Sequence, residues 1–224
     1  MSATLAYPPD HWKHGCATLL AQWQTLWTEP VPVVDVAAPS DADCMQRYRN
    51  GDAQAFRVLY ARHRDKLHRY VLRLADRASD AEEIFQDVWM AVIRGKDSYT
   101  PDAPFITWLF AIAHRRVADR WRTLARHAPE ATHADDEGEA WLAQQASSAM
   151  HAPEQLAHSA ALGKALLDAI RQLPLPQREA FLMRAEGGLS VDDIAFATGV
   201  NRETAKSRLR YAQQRLREAM ATWR

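Results

Sequence analysis

Several things are scarce in this sequence, and each scarcity excludes something. Two cysteines, Cys16 and Cys44, occur in 224 residues, without a CxxC pair. Their spacing offers neither a disulfide framework nor a zinc ligand set. Glycines number eight, and runs of Val, Ile or Thr are few, which argues against a β-rich fold. No apolar stretch approaches the ~20 residues of a membrane span. The opening "MSATLAYPPDHWKHGC" has no basic start followed by an apolar core, so no secretory signal or membrane insertion is expected, and the expected location is cytoplasmic. Net charge is also lacking: 28 Lys and Arg face 28 Asp and Glu. Whole-chain charge therefore gives no argument for nucleic acid, and only its distribution can.

Apolar residues recur at helical spacing almost throughout, which predicts an all-α fold. Four parts are expected. Residues 1–40 form an N-terminal extension in which Trp12, Cys16, Leu19, Leu20, Trp23, Leu26 and Trp27 share a helical face, followed by the Pro-rich linker "EPVPVVDVAAPS". Residues 41–126 form a first small helical domain. Asp41 and Asp52 are its expected helix caps, with Ser79 and Glu82 as a capping box. Its core stripes are Ala55, Phe56, Leu59, Tyr60, His63, Leu67, Tyr70, Val71 and Leu74, then Ile84, Phe85, Val88, Trp89, Val92 and Ile93. Residues 127–154 carry acids without Lys or Arg and are expected to be a flexible acidic linker. Residues 155–224 form a second helical domain, with Pro176 near a helix start and glycines at that helix's end.

The second domain ends in "LSVDDIAFATGVNRETAKSRLRYAQQRLREAM". A short helix, a glycine suited to positive φ (Gly199), and a longer helix make a helix-turn-helix. Ile194, Ala195, Val200, Ala205 and Leu209 have the spacing that packs two crossed helices. From Arg202 to Arg217 there are six cations and a single acid, Glu203. Arg and Lys reach phosphates, and bidentate Arg reads guanine edges. A solvated basic helix end, favoured by the helix dipole, is the plainer explanation of that charge; the turn and the small packing residues favour DNA binding.

A second basic helix lies upstream, preceded by an acidic one. The ordered segments "GDAQAFRVLYARH", "DAEEIFQDVWMAV", "FITWLFAIAHRRVADRWR", "LPLPQREAFLMRAEGGLSVDDIA" and "ETAKSRLRYAQQRLRE" resemble the extracytoplasmic-function (ECF) sigma factors, small two-domain sigma factors of the sigma-70 family, over roughly residues 43–222. The resemblance implies a non-enzymatic, cofactor-free protein that binds core RNA polymerase at its clamp helices and flap, recognises the −10 and −35 promoter elements and is held by an anti-sigma factor or other regulator.

Carried over residue by residue, the resemblance implies core-polymerase docking by Asp80, Glu82, Glu83, Gln86 and Asp87. A basic partner surface would complement these acids, although acids near a helix start also simply favour the dipole. It implies −10 contacts by Trp108, His114, Arg115, Arg116, Arg120 and Arg122. Flipped bases there need aromatic pockets and phosphate partners, for which Trp108, Phe110 and Trp121 are candidates if they are not core. It implies −35 contacts by Arg202, Thr204, Lys206, Ser207, Arg208 and Arg210. The family usually has Asp at the position of Glu83, often Asn at that of Arg115, and a larger apolar residue at that of Ala205.

Two other classes of protein carry a basic helix of this kind or act on nucleic acid. A helix-turn-helix regulator working without polymerase needs neither the acidic helix nor "TWLF…RR". An enzyme acting on nucleic acid would need a site, yet no HxxxH pair, nucleophile context, Gly-rich phosphate loop or paired metal carboxylates stand out. The family's core does not use the Trp-rich extension, which is expected to pack on the first domain, mask the DNA-binding face or dock a regulator.

Overall fold

The computed structural model describes residues 39–127 and 153–223. The Trp-rich stripe with Cys16, and nearly all of the acidic linker, lie outside the described residues. Eight α-helices make up the described chain, in order α1 Asp41–Arg49, α2 Ala53–Leu74, α3 Ala78–Arg94, α4 Phe105–His127, α5 Pro153–Arg171, α6 Leu175–Gly187, α7 Val191–Thr198 and α8 Arg202–Ala219. Short 3-10 turns follow α3 (Lys96–Ser98) and α8 (Ala221–Trp223).

Helices α1 to α4 form the first half. Helix α2 packs on α1, α3 and α4, and α3 on α4. The expected α2 stripe is buried at Ala55, Leu59, His63, Leu67, Tyr70, Val71 and Leu74, with Phe56 and Tyr60 packed at its margin. An aromatic cluster joins α2 to α3: Trp89 stands 4.8 Å from Tyr60 and edge-on to Phe56 at 5.9 Å, centroid to centroid. Such pairs add to simple area burial. Helices α5 to α8 form the second half, where α8 packs against α5, α6 and α7.

The helix ends correct two expectations. Asp41 does not cap α1. Ser40 does, in a capping box with Asp43, because Asp41 is turned toward α2, where it meets Arg62 at 2.9 Å and His63 at 2.7 Å. Burial raises the Asp41 pKa, but these partners outweigh it and hold the carboxyl below its ordinary value. Ser79 does not cap α3 either. The helix begins before it, with Arg77 at the N-cap and no side-chain cap; a guanidinium has only donors and cannot accept from the first helical N–H groups, and Arg77 instead donates to Asp80 at 3.2 Å. Asp52 caps α2 as expected, accepting from Gln54 N and Ala55 N. Ile93, expected in the core, is 38% exposed: at ~100° per residue it lies round the edge of α3 from Val88 and Val92, which are fully buried, on the side of the exposed Met90.

The two halves are packed against each other. Helix α4 runs along α7, and α2 lies against α6. Gly187, at the end of α6, makes this approach possible. A Cβ there would come within 3.1 Å of Phe110 of α4 and 2.4 Å of Leu189, so only glycine fits without displacement.

Candidate nucleic-acid and polymerase interface

The helix-turn-helix is closed at both joints. Ser190 and Asp193 form a capping box at the start of α7, and Gly199 ends it at φ 67°, where an L side chain is strained. Asn201 then caps α8, accepting from Thr204 N at 2.8 Å. Ala205 is fully buried and Ala195 nearly so, which lets α7 and α8 cross closely. The small side chain at position 205 is thus filled by proximity rather than by volume.

This packing fixes the outward face of α8. Arg202, Lys206 and Arg210 are exposed, while Thr204, Ser207 and Arg208 are half-buried. Arg202 is held by Asp192 at 2.8 Å, and the Arg210 guanidinium lies 5.0 Å over the Tyr211 ring. Ser207 donates to Glu203 O at 2.6 Å. Lys206 and Arg210 are exposed cations on this face, suited to phosphate attraction.

The expected −10 residues of α4 fall into unlike environments. Arg115 is exposed and Arg116 half-buried, and neither has an ion-pair partner among the described residues. Arg122 pairs along its own helix with Asp119 at 2.5 Å. Arg120 is tied to α3, bonded to the buried Asp80 and 3.1 Å from Glu83. His114 Nδ1 lies 2.9 Å from Glu179 Oε1 of the second half. Among the aromatic candidates, Trp108 is half-buried, 5.3 Å from the Tyr99 ring, and Trp121 is half-buried against the core. Phe110 is core, fully buried and 4.9 Å from Tyr70.

The docking acids of α3 also divide. Asp80 is buried, and two arginines hold it. Burial works to raise its pKa, but hydrogen bonds from Arg77 and Arg120 prevail and keep it below the ordinary carboxylate value. Glu82 accepts from, or pairs with, the buried His68 at 2.8 Å; burial depresses the His68 pKa although Glu82 opposes it. Glu83, Gln86 and Asp87 point outward. Met90, 46% exposed, and Ile93 continue that same face, one and two turns on. Sequence reasoning missed these two as surface residues. Their signal was the spacing 83, 86, 90, 93, which places them off the Val88–Val92 side.

Sequence reasoning also missed a polar seam between the halves. Glu186, with no exposed side-chain surface, is bonded to Arg69 at 2.7 Å and to Arg73. Thr107 Oγ1 donates to Asp193 Oδ1 at 2.8 Å. A glutamate inside the apolar run "FLMRAEGG" was the available clue, since a buried carboxylate requires a cation. Among the described residues, no group of His, Cys, Asp and Glu is arranged to hold a metal ion, and no helix is long and apolar enough to cross a membrane.

Comparison with known proteins agrees with this division. Residues 59–127 match the Sigma-70 region 2 family and residues 163–216 match the Sigma-70, region 4 family. The chain is 31% identical over 176 residues to the RNA polymerase sigma factor CarQ of Myxococcus xanthus, covering 79% of this chain and 95% of that one. It is 33% identical over 178 residues to the ECF RNA polymerase sigma factor SigM of Mycobacterium tuberculosis, covering 79% and 83%. The fold resembles that of the sigma factor RpoE in its co-crystal structure with the anti-sigma factor NepR from Bartonella quintana, with a TM-score of 0.59 and 21% identity over 77% of this chain and all of that one. The exposed basic face of α8, the outward face of α3 and these relationships together identify the chain as a member of the ECF RNA polymerase sigma factors.

Proposed function

We propose that this sigma factor divides its work among three surfaces. The first is the outward face of α3. Glu83, Gln86 and Asp87 supply polar and acidic groups, and Met90 and Ile93 supply an apolar end. A basic partner surface with an apolar patch, as on the core polymerase clamp, fits this arrangement, with an apolar centre carrying affinity and charges setting orientation. Asp80 and Glu82 act indirectly, because their internal partners hold α3 in place.

The second surface is α4. Arg115 and Arg116 are the available cations for the −10 strand, with Trp108 at the helix's aromatic end; His114 and Arg120 must first leave their present partners. The third is α8, where Lys206 and Arg210 meet phosphates of the −35 duplex, and Arg202, Thr204, Ser207 and Arg208 set register and readout. Residues 127–154 tether the two DNA-binding units, so that binding one element raises the effective concentration at the other. The protein is not an enzyme, works in the cytoplasm beside polymerase, and is restrained by an anti-sigma partner.

The observation that carries this reading is the acid-to-apolar face on α3 in a chain that also has a helix-turn-helix. A regulator acting without polymerase needs only the latter. In vitro transcription with core polymerase and a genomic promoter pool tests it. Specific transcripts are expected, and their alignment gives both promoter elements. Met90→Ser with Ile93→Ser should lower transcription about tenfold without changing duplex binding, in line with the loss of a small apolar anchor. Duplex binding with no transcript from the unaltered chain would overturn the reading.

A further inference from the structure

Helix α8 carries one acid among its cations. From Arg202 to Arg217, Glu203 is the single carboxylate, and its side chain is 75% exposed. Among the described residues it accepts no hydrogen bond, and its one ion-pair partner is Arg202, at 3.8 Å. Arg202 is itself engaged more closely by Asp192, at 2.8 Å. An acid in a first helical turn favours the dipole, yet the side-chain cap of this turn is already supplied by Asn201. The Glu203 carboxylate is therefore loosely held at the leading end of the helix. Beside DNA phosphates such a charge is costly unless it has a use.

Packing fixes where that charge points. The buried side of α8 is Ala205, Leu209, Ala212 and Leu216. At ~100° per residue, Glu203, Ser207 and Gln214 fall on the side opposite to them. Lys206 and Arg210 lie to one side of this line, Thr204 and Arg208 to the other. The Ser207 hydroxyl donates to Glu203 O at 2.6 Å, so the first uncommitted group on the line is the Glu203 carboxylate. In a helix-turn-helix the N-terminal residues of the second helix meet base edges, and phosphate contacts hold the register. Glu203 is the second residue of α8. Its place is the floor of the major groove, between flanking cations.

We infer that Glu203 is a base-reading residue that selects cytosine at one position of the −35 element. The inference rests on the assignment of α8 to that element. A carboxylate only accepts hydrogen bonds. In the major groove guanine presents two acceptors, adenine an acceptor beside its amino group, and thymine an acceptor beside a methyl. Cytosine alone presents a donor with no acceptor of its own. Glu203 thus accepts from cytosine N4 and is repelled by an acceptor on each of the other three bases. Selection of this kind works through rejection as much as attraction. The cations of α8 cannot supply it, because Arg and Lys side chains have no acceptor. Lys206 and Arg210 instead hold the phosphates and offset the repulsion between Glu203 and the DNA backbone.

The test uses the full chain, alone and with core polymerase, on a pool of promoter duplexes randomised over the −35 element. Duplexes retained by the chain and transcripts made by the holoenzyme are both sequenced. The unaltered chain should favour cytosine over thymine about tenfold at one position, the cost of one mismatched pair. Glu203→Gln should replace cytosine by adenine at that position alone, because an amide both donates and accepts and pairs with adenine N7 and N6. The cytosine-to-adenine ratio should change by about tenfold or more. Tight binding of this variant to the adenine-containing site shows that it is folded. Glu203→Ala should lose the preference, with all four bases accepted within about threefold. A merely structural role at the helix start would weaken binding to every sequence alike and leave the preferences as they were. That result overturns the inference, as does a selected site with no cytosine preference in the unaltered chain. Absence of transcripts from the unaltered chain would instead count against the sigma-factor reading, leaving the retained duplexes to decide the role of Glu203.

Discussion

Two buried carboxylates, each held by two arginines, serve different regions of this protein. Asp80 lies within the first half, between Arg77 of its own segment and Arg120 of α4. Glu186 lies between the halves, with both of its arginines on the opposite side of the seam. The chemistry is the same, and the surroundings decide its use. The Asp80 group is backed by a continuous apolar core shared by α3 and α4, so breaking it disturbs the fold. The Glu186 group ties α6 to α2 across the seam, where the apolar core runs on through both halves, so breaking it loosens the packing of one half on the other. A buried ion pair is weak evidence for stability on its own; its position shows whether it holds a fold or a conformation.

The largest expected effect breaks the comparison from the Asp80 side. Asp80→Ala leaves Arg120 with the exposed Glu83 as its remaining partner here and should lower unfolding stability by about 3 kcal/mol, at the low end for a broken buried pair because the arginines are partly solvated. Urea unfolding measures it. Glu186→Gln leaves Arg69 and Arg73 with a neutral amide as their partner across the seam and should lower the same quantity by about 2 kcal/mol, since the amide oxygen still accepts one hydrogen bond.

Acid titration sharpens the contrast. The Asp80 pKa is below its ordinary 3.8 in the folded chain. Its contribution is complete above that ordinary value and is lost as pH falls through the lower folded value. Asp41 behaves in the same direction. Stability should therefore drop steeply below about pH 4, and Asp80→Asn should start lower and fall less over that range. A parallel pair of curves would show that Asp80 does not contribute to the acid limb.

Smaller effects concern the helix-turn-helix. Ser190→Ala removes the cap of α7 and should cost about 1 kcal/mol, read by thermal or urea unfolding, with weaker duplex binding as α8 loses its support. Lys206→Ala should leave stability unchanged within about 0.5 kcal/mol. It should reduce the slope of log binding constant against log salt by about 1, the expectation for one lost phosphate contact.

Much of the fold was legible because local signals agreed with one another. The α2 stripe, the Asp52 cap, the glycine at 199 and the close-packing alanines of the helix-turn-helix each followed from periodicity, capping or φ preference. Errors arose where a side chain had two possible employers. Asp41 and Ser40 are adjacent candidate caps, and the nearby Arg62 and His63 on another helix decided between them. Ile93 fits an apolar count, but its angular position puts it outside the core.

The candidate surfaces were legible as residue types and less so as available groups. Spacing indicated that α3 is acidic and that α4 and α8 are basic. It did not indicate that Asp80 and Arg120 bind each other, or that His114 is engaged by the other half. The sequence by itself determined the helices, the Asp52 cap, the Gly199 turn and most of the amphipathic faces, because those depend on residues within one or two turns. Only the tertiary structure decided which charges face solvent and which face each other. Arg69 and Glu186 are 117 positions apart, and no local periodicity carries information about a Coulombic contact made over that separation.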